Sequence, residues 1–311
     1  MVLRIGPSYG LHGLMSFEEI SKKVRGISAN DLNSLEFGIQ RCTLNWAKGR
    51  PGSPYPSETF CQKLRELNQS LDLTSSVHAS YSVVLTSDDP GKTQFAKATM
   101  TATARVATYL GATHVTFHCG SRGPGTKGLQ RAKNVLKEML EARDKRGTKI
   151  EYSPEVAGKV NSLGSFHEIL ELAECCGTLF TWDVAHDFAR GGQVTTFNAL
   201  NARLEAIEAR LDVSSQRRLP IHISGIVRGK AGERYHTPLK EGDGVPWRLF
   251  LSALKQVGFL ERCSIICESK ARQLSDNWSR LIDTKRIREF CLSNQIVDKW
   301  TPKKPALDTF L

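Results

Sequence analysis

The sequence predicts a (β/α)8 barrel, the TIM-barrel architecture of the α/β class, in a single domain. Three observations predict it. Eight short apolar runs alternate with stretches of helical period along the 311 residues, the pattern of parallel strands joined by crossover helices. No composition shift or linker divides the chain, so the units read as one sheet. The third to eighth runs each end on or near His, Asp or Glu. In a barrel those strand ends meet at one mouth, where active sites of this architecture lie. An open doubly wound sheet is the alternative, but it usually needs fewer strands and offers one ligand its switch point.

The elements follow in order. Residues 2–7 read as the first strand and 16–25 as its helix. The second strand, 35–40, leads into a long loop holding Trp46, Gly49, Pro51, Gly52, Pro54 and Pro56. A helix starts near Ser57, where Glu58 suits the positive end of the dipole. The third strand, 73–77, precedes a helix over 92–110 that is rich in Ala and Thr. The fourth, 114–117, opens onto a Gly-rich loop at 120–128 and a helix to 146. The fifth, 148–153, is followed by a helix over 165–175, and the sixth, 178–182, by one over 198–211. The seventh, 219–223, and its helix, 246–256, precede the eighth, 263–267, and a closing helix over 275–291. Residues 1–294 are thus expected to form the barrel and 295–311 a C-terminal tail.

Composition limits the function classes. A hydrophobic fraction of 40% with 24% charged residues is ordinary for a globular chain. No run approaches the roughly 18 apolar residues that a membrane span needs, so a cytoplasmic protein without membrane contact is expected; a monomer is expected as well. The eight cysteines are scattered, with one adjacent pair at Cys175 and Cys176 and no CxxC spacing, which points to reduced thiols. A formal net charge of +11 attracts polyanions, nucleic acid foremost. The Gly-rich loop does not follow the order of a nucleotide-binding P-loop, because Thr126 precedes Lys127.

The polar strand ends carry the chemistry. His78 and His118 close the third and fourth strands, Glu155 and Asp183 the fifth and sixth, and His222 and Glu268 the seventh and eighth. His186 is expected in the loop after the sixth strand and His236 in the loop after the seventh. Taken alone, Asp183 with His186 is more often a helix cap beside a surface histidine, and Glu155 or Glu268 a helix-start acid. Together, three acids and five imidazoles in one bowl need cations, and mixed imidazole–carboxylate ligands suit zinc, manganese or iron. His114 starts its strand at the opposite rim and is set aside, as are His12 and His167. More ligands than one ion requires suggest a multi-metal site, which supports phosphate-ester hydrolysis.

These segments resemble the endonuclease IV family of apurinic/apyrimidinic endonucleases across nearly the whole chain. Val77-His78-Ala79-Ser80-Tyr81 is similar to its His-Ala-x-Tyr motif, and Phe117-His118-Cys119-Gly120-Ser121 to its His-Pro-Gly-Ser, with Cys119 in place of proline. Pro154-Glu155-Val156-Ala157-Gly158 resembles its Glu-x-x-(Ala/Thr)-Gly, Asp183-Val184-Ala185-His186 its Asp-x-x-His, His222-Ile223-Ser224 its His-x-(Asn/Ser), and Cys267-Glu268-Ser269 its last Glu. In wording the chain resembles divergent, archaeal-type members.

The resemblance implies three metal ions, usually zinc, with manganese acceptable at one or more positions. His78, His118 and Glu155 would hold the first. Glu155, Asp183, His222 and Glu268 would hold the second, with Glu155 and Glu268 the catalytic carboxylates. The third would take His186 and His236 plus one acid. The family's Asp-x-His places that acid two residues before the histidine, where this chain has Arg234, so Glu233 is the substitute. The implied reaction is hydrolysis of the phosphodiester 5′ to an abasic site in duplex DNA by metal-bridged hydroxide attack, leaving a 3′-hydroxyl. DNA contacts would come from Gln40, Arg41 and Trp46 after the second strand, from Tyr81, from Arg122 and Lys127 in the Gly-rich loop, and from Tyr235, which stands where the family usually has an arginine. The rival is a single-metal sugar isomerase or epimerase of the same barrel superfamily, using only Glu155, Asp183, His222 and Glu268. A DNA-binding protein whose nuclease activity has decayed ranks last.

Overall fold

A computed structural model describes residues 3–11, 15–39, 44–45, 50–51, 56–122, 127–240, 244–270 and 278–302. Eight parallel strands make one sheet: β1 (Arg4–Gly10), β2 (Ser34–Gly38), β5 (Thr74–His78), β6 (His114–Phe117), β7 (Glu151–Pro154), β8 (Trp182–Asp183), β9 (Leu219–Ile223) and β12 (Cys263–Cys267). Their order is β7-β6-β5-β2-β1-β12-β9-β8. The two ends of that order meet: Leu179 N donates to Tyr152 O at 3.0 Å, Thr181 N to Pro154 O at 3.0 Å and Val156 N to Thr181 O at 3.1 Å. The sheet therefore closes on itself and leaves no edge among these eight strands.

The helices lie between and outside the strands: α1 (Phe17–Ser28), α2 (Glu58–Ser70), α3 (Pro90–Leu110), α4 (Gly128–Lys145), α5 (Phe166–Cys176), α7 (Phe197–Arg210), α8 (Trp247–Gln256) and α9 (Trp278–Leu292). Side chains fix several of their ends. Ser16 with Glu19 and Ser165 with Glu168 form capping boxes at α1 and α5, and the Asp89 carboxylate accepts from the Gly91 and Lys92 amides at the start of α3. The apolar core sits between sheet and helices, on the outward strand positions Leu35, Phe37, Val77, Val115, Phe117, Trp182, Ile221 and Ile265.

The inward positions are polar instead. Thr74 meets Ser34 at 3.4 Å, Ser34 meets Ser264 at 3.4 Å, Ser76 donates to Glu36 at 3.0 Å, and Thr181 lies 2.6 Å from Ser153 and 3.3 Å from Thr116. Barrel lumens are commonly filled by branched aliphatic residues; here hydroxyls pair across strands and satisfy each other.

Two short antiparallel hairpins and one extra helix depart from the expected order. β3 (Leu44–Asn45) pairs with β4 (Arg50–Pro51) inside the expected long loop. α6 (Val184–Ala189) follows β8 at once, so His186 is helical and not in a loop. β10 (Gly225–Gly229) and β11 (Gly232–Thr237) form a hairpin with a register shift between Val227 and Arg228, so His236 lies on a strand. The first strand also runs later than expected, to Gly10, because its backbone stays paired with β2 through Gly38. Beyond 294 the described residues pack back on the body: Val297 N donates to Ser252 Oγ at 2.8 Å, and Trp300 meets Phe188 edge-on at 6.0 Å. No helix among the described residues is long and apolar enough to cross a membrane.

Candidate metal centre

The strand ends converge as expected. His78 is the last residue of β5 and Asp183 the last of β8, while His118, Glu155 and Glu268 each follow their strand by one residue. Glu155 is the hub and is wholly buried. Its Oε2 lies 2.9 Å from His78 Nε2 and 3.2 Å from His118 Nε2, and its Oε1 lies 2.9 Å from His222 Nδ1 and 3.7 Å from His186 Nδ1. Glu268 reaches His222 Nδ1 at 3.7 Å and His236 Nδ1 at 3.8 Å.

The Asp183–His186 pair is a cap and a site member at once. Asp183 Oδ1 accepts from the His186 amide at 2.7 Å and so caps α6. Its Oδ2 is buried, has no hydrogen-bond partner among the described residues, and lies 3.4 Å from His186 Nδ1. Helix α6 is anchored beneath by Asp187, whose carboxylate takes Trp182 Nε1 at 3.2 Å and Arg203 at 2.8 and 3.2 Å. Arg190, just past α6, donates to the carbonyls of Ala157 at 2.9 Å and Lys159 at 2.7 Å, tying the helix to the loop after β7.

The hairpin brings in the last members. Glu233 Oε2 lies 3.4 Å from His186 Nε2 and its Oε1 3.7 Å from His236 Nε2, so the acid three residues before His236 does reach the group. This approach depends on two glycines. Glu233 N donates to Gly158 O at 3.0 Å, and a Cβ on Gly158 would stand 2.5 Å from that of Glu233. Gly232, at φ +90°, would push a Cβ to 2.2 Å from Gly158 O.

Ring orientation separates the histidines. His78 Nδ1 meets the Ala79 carbonyl at 2.8 Å and His186 Nδ1 the Val156 carbonyl at 2.9 Å. A carbonyl only accepts, so a proton sits on each Nδ1 and each Nε2 is the nitrogen turned to the cluster. His236 Nδ1 is 2.8 Å from Ser224 Oγ, and its Nε2 faces His186 Nε2 at 3.0 Å. Neither nitrogen of His118 has a hydrogen-bond partner among the described residues.

Charge follows from burial and neighbours. Burial alone would raise the Glu155 carboxyl, but His118, His222 and His78 bring it well below the carboxylate range. Burial pushes His118 down to about 3 and His236, beside His186, to about 4. Against the same burial, Glu155 and Glu36 lift His78 to about 9, and Asp183 with Glu155 lifts His186 to about 9. Asp183 rises to about 7 through burial and the nearby Glu155 and Glu268. The cluster thus demands positive charge, which protons supply only in part. Buried imidazole and carboxylate atoms without partners, aimed at one another, fit divalent ions of the zinc or manganese type. Among the described residues, four groupings each keep one ligand atom per residue within 4.8 Å of the others: His78–His118–Glu155, His78–His222–Glu268, Asp183–His186–His236, and Glu155–Asp183–His222–Glu268.

A cavity of about 310 Å³ opens above the cluster, lined by Tyr81, Glu233, Arg234, Tyr235, Glu268 and Lys270 among others. Tyr81, 67% exposed, stacks on His118 with centroids 4.9 Å apart, and Tyr235 is 52% exposed. The basic residues expected at this rim divide differently. Arg122 is held in an ion pair with Glu168, and Lys127 is exposed at the start of α4; neither lines the cavity. Gln40, Arg41 and Trp46 lie outside the described residues. Glu36, buried beneath His222, was not among the expected residues. Its signal is an acid on the inward register of Ser34-Leu35-Glu36-Phe37-Gly38.

Residues 33–289 match a family described as the xylose isomerase-like TIM barrel. The chain belongs to that family. An uncharacterized protein of Methanocaldococcus jannaschii is 30% identical over 218 residues, 69% of this chain and 78% of that one. Among solved structures the fold is similar to endonuclease IV from Thermus thermophilus, with a TM-score of 0.65 and 18% identity over 92% of this chain and 98% of that one. It is also similar to D-psicose 3-epimerase from Clostridium cellulolyticum, with a TM-score of 0.61 and 13% identity over 88% and 92%. Both a nuclease and a sugar epimerase are thus close in fold to this chain.

Proposed function

We propose that the protein is a metal-dependent DNA repair endonuclease that hydrolyses the phosphodiester 5′ to an abasic site in duplex DNA and leaves a 3′-hydroxyl. The observation that carries this is the surplus of donors. Glu155, Asp183, His222 and Glu268 suffice for one ion, yet His78, His118, His186, His236 and Glu233 crowd the same bowl. In this reading His78, His118 and Glu155 hold one ion, Glu155, Asp183, His222 and Glu268 a second, and His186, His236 and Glu233 a third, most simply zinc. When bound, such ions lower the pKa of water and neutralise charge on a phosphate.

The chain's own side chains do the rest. Glu268, partly open to the cavity, is the carboxylate able to take a proton from the attacking water, and Glu155 orients the imidazoles around it. Tyr81 and Tyr235 offer exposed aromatic faces to an unpaired base, while Arg234 and Lys270 can meet phosphates. The likeness to an epimerase supports a second reading, a one-ion sugar epimerase using the Glu155, Asp183, His222 and Glu268 set.

The test is elemental analysis of the purified protein beside incision of an abasic duplex oligonucleotide, with and without chelator, and a parallel assay on keto-sugars. More than one ion per chain and chelator-sensitive incision are expected. One ion, no incision and sugar turnover would move the protein to the second reading.

A further inference from the structure

Glu36 sits mid-strand in β2, wholly buried in the lumen one layer below the cluster. Its Oε2 accepts from Ser76 Oγ at 3.0 Å and lies 3.3 Å from His222 Nε2, an ion-pair contact short of hydrogen-bond geometry. Its Oε1 has no hydrogen-bond partner among the described residues. The other face of the same imidazole, Nδ1, points at Glu155 Oε1, 2.9 Å away, and at Glu268 Oε1, 3.7 Å away.

His222 is thus reversed relative to its neighbours. His78 and His186 settle Nδ1 on a backbone carbonyl and turn Nε2 to the cluster, whereas His222 turns Nδ1 to the cluster and leaves Nε2 to a carboxylate. An imidazole can give a lone pair to a metal from one nitrogen only while the other keeps its proton. A carboxylate at that second nitrogen holds the proton and makes the ring a better donor. A wholly buried carboxylate costs the fold several kcal/mol unless it is paired, and the partners Glu36 has are Ser76 and His222. The small neighbours Ser8, Gly10 and Gly38 line the cavity beside it and leave it room.

We propose that Glu36 is a positioning residue for the metal centre: it fixes His222 with Nδ1 presented to the ion shared with Glu155, Asp183 and Glu268, and touches neither ion nor substrate. The proposal rests on the cluster being a metal centre and is independent of whether the substrate is DNA or a sugar.

The test compares the full-length wild type with Glu36→Gln and Glu36→Asp in zinc titrations against a competing chelator. Metal per chain, the visible spectrum of the cobalt-substituted protein and the thermal midpoint of the chelator-stripped protein are read alongside. Glu36→Gln keeps the volume and an acceptor for Ser76, so folding is retained. In both variants one zinc equivalent should weaken ~10–100-fold and the cobalt spectrum should change, with the remaining equivalents and the stripped midpoint unmoved. Unchanged affinity and spectrum in both variants overturns the proposal. A lower stripped midpoint with unchanged zinc affinity does the same and assigns Glu36 to the fold. A wild type that binds no zinc, manganese or cobalt overturns the metal centre itself, an outcome distinct from either.

Discussion

Gly158 decides whether the third group of ligands can form. Any β-carbon there would stand 2.7 Å from Glu233 Oε2 and 2.9 Å from His186 Cδ2, so the hairpin or the imidazole must retreat. Gly158→Ala is expected to remove one metal equivalent while circular dichroism stays native; full metal content in that variant would detach Glu233 from the site. Protons and ions compete for the same residues. In chelator-stripped protein, His78 and His186 are lifted to about 9 and Asp183 to about 7, above the roughly 6.5 and 3.9 of an unfolded chain. The folded state therefore binds more protons, and the stability these groups lend is full below the unfolded values. It is lost as pH rises through about 7 for Asp183 and about 9 for the histidines. The thermal midpoint of stripped protein should fall between pH 6.5 and 9, and zinc should flatten that fall, because the ions supply the charge. A stripped midpoint that rises over this range contradicts the burial and pairing described for these residues.

Helix α6 shows how an element carries the site. Its six residues, Val184–Ala189, are too few to stand alone; Asp183 caps it, Arg190 ties it to the loop after β7, and Asp187 pins it to Trp182 and Arg203. Asp187→Ala leaves the buried Trp182 Nε1 and the part-buried Arg203 guanidinium without their partner and should cost about 1–3 kcal/mol in chemical denaturation, with His186 lost to metal binding. A change below about 1 kcal/mol would mean that the pair is worth no more than a surface one. The same element marks what a sequence can disclose. The eight barrel strands and the convergence of His78, His118, Glu155, Asp183, His222 and Glu268 were legible, because alternation and strand-end position are local signals. Helix α6 was not, since a six-residue helix has no period to read. The docking of the β10–β11 hairpin was not either: it rests on Glu233 N donating to Gly158 O at 3.0 Å, a contact between distant parts of the chain. Glu36 escaped because an acid inside a strand is an anomaly whose reason, His222, lies on another strand.

Over the whole molecule, charge is distributed against the local need. The chain carries a net +11, yet the mouth of the barrel gathers Glu155, Asp183, Glu233 and Glu268, with Glu36 one layer below. Without cations that mouth repels a phosphate; with divalent ions it becomes attractive, and the positive surplus elsewhere can draw in a polyanion and hold it by counterion release. This arrangement suits a nucleic acid and gives a neutral sugar no advantage, so salt dependence separates the two readings in one measurement. Each phosphate contacted adds about −0.9 to the slope of log affinity against log salt. With about four phosphates met, affinity for an abasic duplex should fall about 100-fold between about 50 and 200 mM salt. The Glu155→Gln variant, expected to be inactive, allows this to be read by fluorescence anisotropy without cleavage, with zinc held constant. Binding that is flat across that range would remove the duplex as substrate and leave the surplus charge as a property of the surface alone.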